Sequence, residues 1–198
     1  MVYSSNVYLV LGDWSAIEDV NTLIDVGNDS AVLTEILRAP TGVGKKAVAQ
    51  VICTHSHFDH TALLPAIRER YAPTVYGHPV CACVETPLRD GQTLRCGDRI
   101  FEVIFTPGHS EDSVCLYCQT DGVLFVGDTP VVIRTADGSH EKNFADALER
   151  LAQKDVRAIY FGHGDPILTN ANQILRESLS NVRCAIRLHG NGEISENG

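Results

Sequence analysis

No block of lysines or arginines occurs anywhere in the chain. With 16 basic residues against 25 acidic ones and a formal charge of −9, there is little from which to build a phosphate-binding groove. Nucleic acid is therefore not an expected partner. Also missing is any uncharged apolar run approaching the ~20 residues that cross a bilayer, so no membrane span is expected. The first apolar stretch, within Met1 to Leu11, has no basic residue ahead of it and is cut short by Asp13. That is not the pattern of a secretory signal, and a cytoplasmic location is expected. The seven cysteines are odd in number, which without an export signal favours free buried thiols in a reducing compartment over a disulfide framework. There is no internal repeat and no low-complexity segment, and no feature of the sequence specifies an oligomeric state.

What is present is a chain of 198 residues, long enough to bury about 70% of its unfolded surface and expected to form one domain over residues 1–198. Val7 to Leu11 and Thr22 to Val26 read as a hairpin of buried strands, and Ser30 as the cap of a helix over Ala31 to Arg38. Val48 to Cys53 is the next β-type run, followed by a histidine-rich loop and a helix from Thr61 to Tyr71. Further strands are expected at Thr74 to Tyr76, Ile100 to Thr106, Ser113 to Tyr117, Gly122 to Gly127 and Ala158 to Phe161. Two more helices are expected, at Asn143 to Lys154 and Asn172 to Leu188. Two strand-rich halves of this kind suit an α+β fold of two sheets packed face to face with helices outside.

The chemistry concentrates in Thr54-His55-Ser56-His57-Phe58-Asp59-His60. Zinc favours imidazole and carboxylate ligands, and a His-x-His pair on an extended loop places both rings on one side because side chains alternate with period two. Asp59 and His60 can turn toward a second position, so one segment can serve two metals. Each later strand end supplies a further candidate beside a glycine: His109 in Pro107-Gly108-His109, Asp128 in Gly127-Asp128, and His163 in Gly162-His163-Gly164.

With the His-x-His-x-Asp-His signature complete and the later His, Asp and His in order, the chain resembles the metallo-β-lactamase superfamily across nearly its whole length. The resemblance implies a four-layer αβ/βα sandwich of two mixed sheets. It further implies that His55, His57 and His109 hold one metal, that Asp59, His60 and His163 hold the other, and that Asp128 bridges them. Asp25 matches the family's early aspartate and would support a ligand rather than be one. Two divalent cations are expected, zinc first, with iron or manganese as alternatives. About 3.5–4 Å apart, such a pair lowers the pKa of a shared water and supplies hydroxide near neutrality. Asp59 would orient that nucleophile as the catalytic carboxylate. The implied reaction is hydrolysis of a small-molecule thioester or related acyl substrate, as in the compact glyoxalase-II-like members. The chain ends soon after its last helix, so the helical domain that full-length glyoxalase II enzymes use to grip glutathione is not expected.

Other readings remain. The persulfide dioxygenases, mononuclear iron enzymes, keep much of the same motif, and His55, His109 and Asp128 would form their two-histidine, one-carboxylate face. A lactone or ester hydrolase, or a non-catalytic metal-binding member of the same fold, also fits the pattern. The flavodiiron branch carries glutamate where His57 stands. An RNA-processing nuclease is disfavoured by charge, and a β-lactamase by the missing export signal. Arg134, Lys142 and His140 are candidates to contact substrate, though surface or capping roles are the commoner fate of such residues. His78 reads as a loop residue and His189 as part of a polar tail. Cys115 and Cys118 have C-x-x-C spacing but fall on an expected strand with no second pair, and they are read as ordinary thiols. Cys53, Cys81, Cys83, Cys96 and Cys184 are read as buried thiols.

Overall fold

The computed structural model describes residues 4–137 and 140–190, with His189 and Gly190 placed by backbone alone. Met1–Tyr3 of the first apolar stretch and Ser139, ahead of the expected fourth helix, lie outside the described residues. Ten strands form two five-stranded sheets. The first sheet contains β1 (Tyr8–Val10), β2 (Thr22–Ile24), β3 (Gln50–Ile52), β4 (Thr74–Gly77) and β5 (Thr86–Pro87), in that spatial order. β1 and β2 are the expected antiparallel pair, and the remaining neighbours run parallel. The second sheet contains β6 (Thr93–Cys96), β7 (Arg99–Phe105), β8 (Val114–Cys118), β9 (Val123–Gly127) and β10 (Ala158–Phe161). Its spatial order is β10-β9-β8-β7-β6, antiparallel except for the parallel β9–β10 pair.

Alternation along the strands sets the layers. Ile24 and Ile52 face the second sheet, where they meet Val103, Val114, Leu116 and Phe125, while their neighbours Leu23 and Val51 face outward onto Ile36, Leu64 and Ile67. Those three come from α1 (Ala31–Arg38) and α3 (Leu64–Tyr71). On the other side Ile104, Cys115, Leu124 and Val126 point outward onto α4 (Lys142–Ala152) and α5 (Ala171–Gly190). Helix α4 buries Phe144, Ala147, Leu148, Leu151 and Ala152, the i, i+3, i+4, i+7, i+8 stripe of a helix lying on a sheet. Successive side chains along a strand thus serve different layers, and both faces of each sheet are covered. The result is the four-layer sandwich of two mixed sheets.

Several details depart from the sequence reading. The helix expected from Thr61 to Tyr71 starts only at Leu64, as α3, and a separate short helix, α2 (Phe58–Thr61), comes before it and carries Asp59 and His60. Ser30 makes no side-chain cap on α1; Asp29 accepts the Ala31 amide instead, at 2.9 Å, an anionic acceptor near a helix N-terminus being the stronger one. β5 and β6 had no expectation at all. Helix α5 runs to Gly190, so His189 is helical in backbone rather than in a tail. Cys184 is exposed and Cys83 half-buried, not buried. No helix among the described residues is long and apolar enough to cross a membrane.

Candidate metal centre

Strands β7, β9 and β10 run in the same direction, and their C-terminal ends, with that of β3, meet at one rim of the sandwich. The rim is tied across the sheets by the Val114 amide donating to the Thr54 carbonyl at 2.8 Å. Each strand end delivers one part of the centre: His55 and His57 after β3, with Asp59 and His60 on α2; His109 after β7; Asp128 directly after β9; and His163 after β10. A bulge between Tyr160 and Phe161 shifts the register just ahead of His163.

Seven candidate side chains form three overlapping triads whose donor atoms all lie within 4.8 Å of one another: His55–His57–His109, His55–His60–Asp128 and Asp59–His60–His163. The His55 and His57 rings are 4.5 Å apart, on the same side as period-two alternation requires. His57 Nδ1 and His109 Nε2 face each other at 3.0 Å. His163 Nε2 lies 3.0 Å from Asp59 Oδ2 and 3.5 Å from Asp128 Oδ2. His60 Nε2 lies 3.3 Å from Asp128 Oδ1.

Behind these groups Asp25 is almost wholly buried. Its carboxylate accepts the Thr54 amide and the Thr54 hydroxyl at 2.8 Å each and contacts His60 Nδ1 at 2.8 Å. The last contact fixes the His60 ring with Nε2 directed into the centre. Asp25 takes a positive φ of 57°, a conformation that aspartate adopts more readily than most residues. Thr54 was not singled out in the sequence, although it directly precedes His-x-His; its hydroxyl also lies 3.2 Å from His55 Nδ1. The N-terminal segment completes the support. Ser5 donates through its hydroxyl to the Asp59 carbonyl at 2.9 Å, and the Asn6 amide donates to the Gly162 carbonyl at 2.6 Å. Gly162 in turn donates its amide to Gly127 at 2.7 Å. A side chain at Gly162 would collide with Asp128 Oδ1 and come within 2.6 Å of His60 Cε1, so the closeness of these loops requires glycine there.

The electrostatics set the ligands apart. Burial, reinforced by the charge of His60, lowers His55 to about 4, keeping its imidazole neutral. Burial also lowers His109. For His60, burial opposes the charged form, but the carboxylates of Asp128 and Asp25 outweigh it and raise the group to about 10. Burial would raise Asp128, yet its contact with His60 holds it below the usual carboxylate range. His55 Nε2, His60 Nε2 and Asp128 Oδ1 are buried without a hydrogen-bond partner, which is costly for polar atoms unless something else satisfies them. Nitrogen and carboxylate donors with their reverse sides pinned are the set that zinc takes, so these residues fit a divalent cation.

Two clefts open beside the centre. One of about 260 Å³ is lined by His109, Asp128, Thr129, Val132, Phe161 and His163. A second, of about 450 Å³, is lined by Pro107, Glu111, Pro130, His140, Glu141 and Phe144, and it is where His140 lies. Arg134 and Lys142 are exposed and line neither cleft. His78 lies apart from the seven, against the Phe105 ring at 4.3 Å.

A family model described as the Metallo-beta-lactamase superfamily matches residues 1–163. The hydroxyacylglutathione hydrolase of Rhizobium etli is 31% identical over 180 residues, covering 86% of this chain and 69% of that protein. An atrochrysone carboxyl ACP thioesterase from Aspergillus fumigatus is 27% identical over 163 residues, 79% of this chain and 51% of that protein. The crystal structure of ETHE1 from Myxococcus xanthus superimposes with a TM-score of 0.70 at 23% identity, covering 98% of this chain and 88% of that one.

Proposed function

Because the chain belongs to the metallo-β-lactamase superfamily, we propose that it is a metal-dependent hydrolase of thioesters or other small acyl substrates. The observation that carries this reading is the convergence of His55 Nε2, His60 Nε2 and Asp128 Oδ1, three buried ligand atoms with no hydrogen-bond partner among the described residues, beside the cleft that Asp128 lines. In this reading His55, His57 and His109 would hold one divalent cation and Asp59, His60 and His163 a second, with the Asp128 carboxylate available to both. Zinc is the first expectation for both positions. Two such cations supply a water acidic enough to attack near neutral pH and a Lewis acid for the substrate carbonyl.

The protein's own groups do the positioning. Asp59, with Oδ2 3.0 Å from His163 Nε2, accepts a hydrogen bond from the attacking water and aims it. Asp25 and Thr54 keep His60 and His55 in register. A small acyl group fits the cleft of about 260 Å³ beside His109 and His163. No motif places a general acid for the leaving group, which favours one that departs as an anion, as a thiolate does. The thioester reading draws on the relatives named hydroxyacylglutathione hydrolase and thioesterase.

Elemental analysis paired with thioester hydrolysis before and after chelation tests the proposal. The expected result is about two zinc per chain and hydrolysis that is lost on chelation and restored by zinc. Full activity in the metal-free protein overturns it. About one iron per chain, with oxygen uptake on a persulfide and no hydrolysis, replaces it with an oxygenase.

A further inference from the structure

Behind the histidine loop, three of the seven cysteines gather beyond the C-terminal ends of the parallel strands β3 and β4. Cys53 directly follows β3, just before the histidine loop, and donates its amide to the Tyr76 carbonyl at 2.9 Å. Cys81 and Cys83 lie on the tight loop between β4 and β5, closed by the Cys81 amide on the His78 carbonyl at 3.0 Å. Their sulfurs are 2.7 Å apart, well inside the separation of two sulfurs in van der Waals contact, and would move only ~0.7 Å to reach the ~2.04 Å of a disulfide. Cys81 is buried, while Cys83 is half-buried beside the exposed loop residues Val80 and Ala82. Cys83 is thus the more exposed residue of the pair.

We propose that Cys81 and Cys83 form a reversible dithiol–disulfide site for low-molecular-weight disulfides, with Cys83 as the attacking group and Cys81 as the resolving one. The surroundings select Cys83. A hydrogen bond from Cys53 pulls its thiol down, burial resists, and Cys81 and the Arg68 charge add to the fall, to about 6. Burial together with the Cys83 contact pushes Cys81 up to about 12. The thiolate is the nucleophile in thiol–disulfide exchange, so at neutral pH the sulfur of the more exposed residue is the reactive one. In the first step the Cys83 thiolate attacks one sulfur of R–S–S–R, forming the Cys83–S–S–R bond and releasing RS⁻. In the second, Cys81 passes its proton to solvent as its sulfur attacks Cys83, forming the Cys81–Cys83 bond and releasing a second RS⁻, and each RS⁻ takes up a proton from solvent. Two cysteines are oxidised, and one external disulfide is reduced to two thiols.

Oxidised glutathione applied to the full zinc-supplemented chain is the probe, read by intact mass and by peptide mapping after alkylation. The expected product has lost two hydrogens, carries a linked Cys81–Cys83 peptide and returns to the starting mass with dithiothreitol. Cys83→Ser slows loss of thiol from this loop by about tenfold or more, Cys81→Ser stops with one glutathione on Cys83, and Cys184→Ser changes neither step. Modification confined to the exposed Cys184, a Cys53–Cys83 link in place of Cys81–Cys83, or unchanged loop oxidation in Cys83→Ser would overturn the assignment. The map of the unsubstituted protein decides the point even if a variant folds poorly.

Discussion

Asp25→Asn isolates the support behind the metal centre. The substitution keeps shape, and asparagine tolerates the positive φ of this position, so backbone strain does not confound the result. The carboxylate serves three partners at 2.8 Å, the Thr54 amide, the Thr54 hydroxyl and His60 Nδ1. An amide has one oxygen to give. If that oxygen keeps the Thr54 amide, the new NH₂ faces His60, which in the neutral form that binds a cation can accept from it only by carrying its ring proton on Nε2. That nitrogen is the one facing Asp128 and Asp59, and a protonated nitrogen cannot bind a cation. Loss of one hydrogen bond to a charged group costs about 1.5–3 kcal/mol of stability. Loss of a partner that orients a ligand weakens metal binding about 10–100-fold, equivalent to about 1.4–2.7 kcal/mol. Urea unfolding of chelator-treated protein measures the first quantity, and zinc titration against a chromophoric chelator the second. The equivalent held by His60, which Asp25 contacts directly, weakens more than the other. A folded Asp25→Asn protein that binds both equivalents with the affinity of the parent would refute the argument.

Three further outcomes follow from the geometry. Gly162→Ala drives a methyl group into Asp128 Oδ1 and against His60 Cε1; a displacement near 1 Å lowers kcat/KM for thioester hydrolysis by about 100-fold, checked by steady-state assay alongside zinc content. Leu116→Ala empties a fully buried site between the sheets and costs about 2–5 kcal/mol, read as a lowered urea midpoint at unchanged slope. Alkylation of Cys83 by iodoacetamide rises with pH as its thiolate forms, with a midpoint near the value of about 6, and has levelled off by about pH 8; a rate still climbing there contradicts the thiolate.

The strands that carry the centre were legible because buried strands write themselves as compact apolar runs: Ala158–Phe161 has the expected bounds, β9 starts one residue later than expected, and β7 and β8 are each displaced by one residue at both ends. β5 was not legible because Thr86–Pro87 is two residues at a sheet edge. β6, Thr93–Cys96, alternates exposed and half-buried positions and offers no apolar run. The convergence of His109, Asp128 and His163 on the histidine loop was visible only through motif order, since spacing along the chain does not reveal which strand ends share a rim. Arg134 and Lys142 show the reverse failure: charge beside a candidate site suggests contact, but direction is decided by the path of the loop. The Cys53–Cys81–Cys83 cluster was invisible because β3 and the β4–β5 loop are brought together only by parallel pairing.

The seam between the sheets runs directly beneath the candidate ligands. Four of them hang from the end of β3 in one sheet, and His109, Asp128 and His163 from the ends of β7, β9 and β10 in the other. A cation gripped at that rim is therefore a strut as well as a reagent, since the two layers cannot part without letting it go. Ligand binding of this kind adds about 2.7 kcal/mol at a hundredfold excess over Kd. A copy deprived of its cations would be inactive and also easier to open along the seam, so the same shortage that silences the chemistry would mark the molecule for proteolysis.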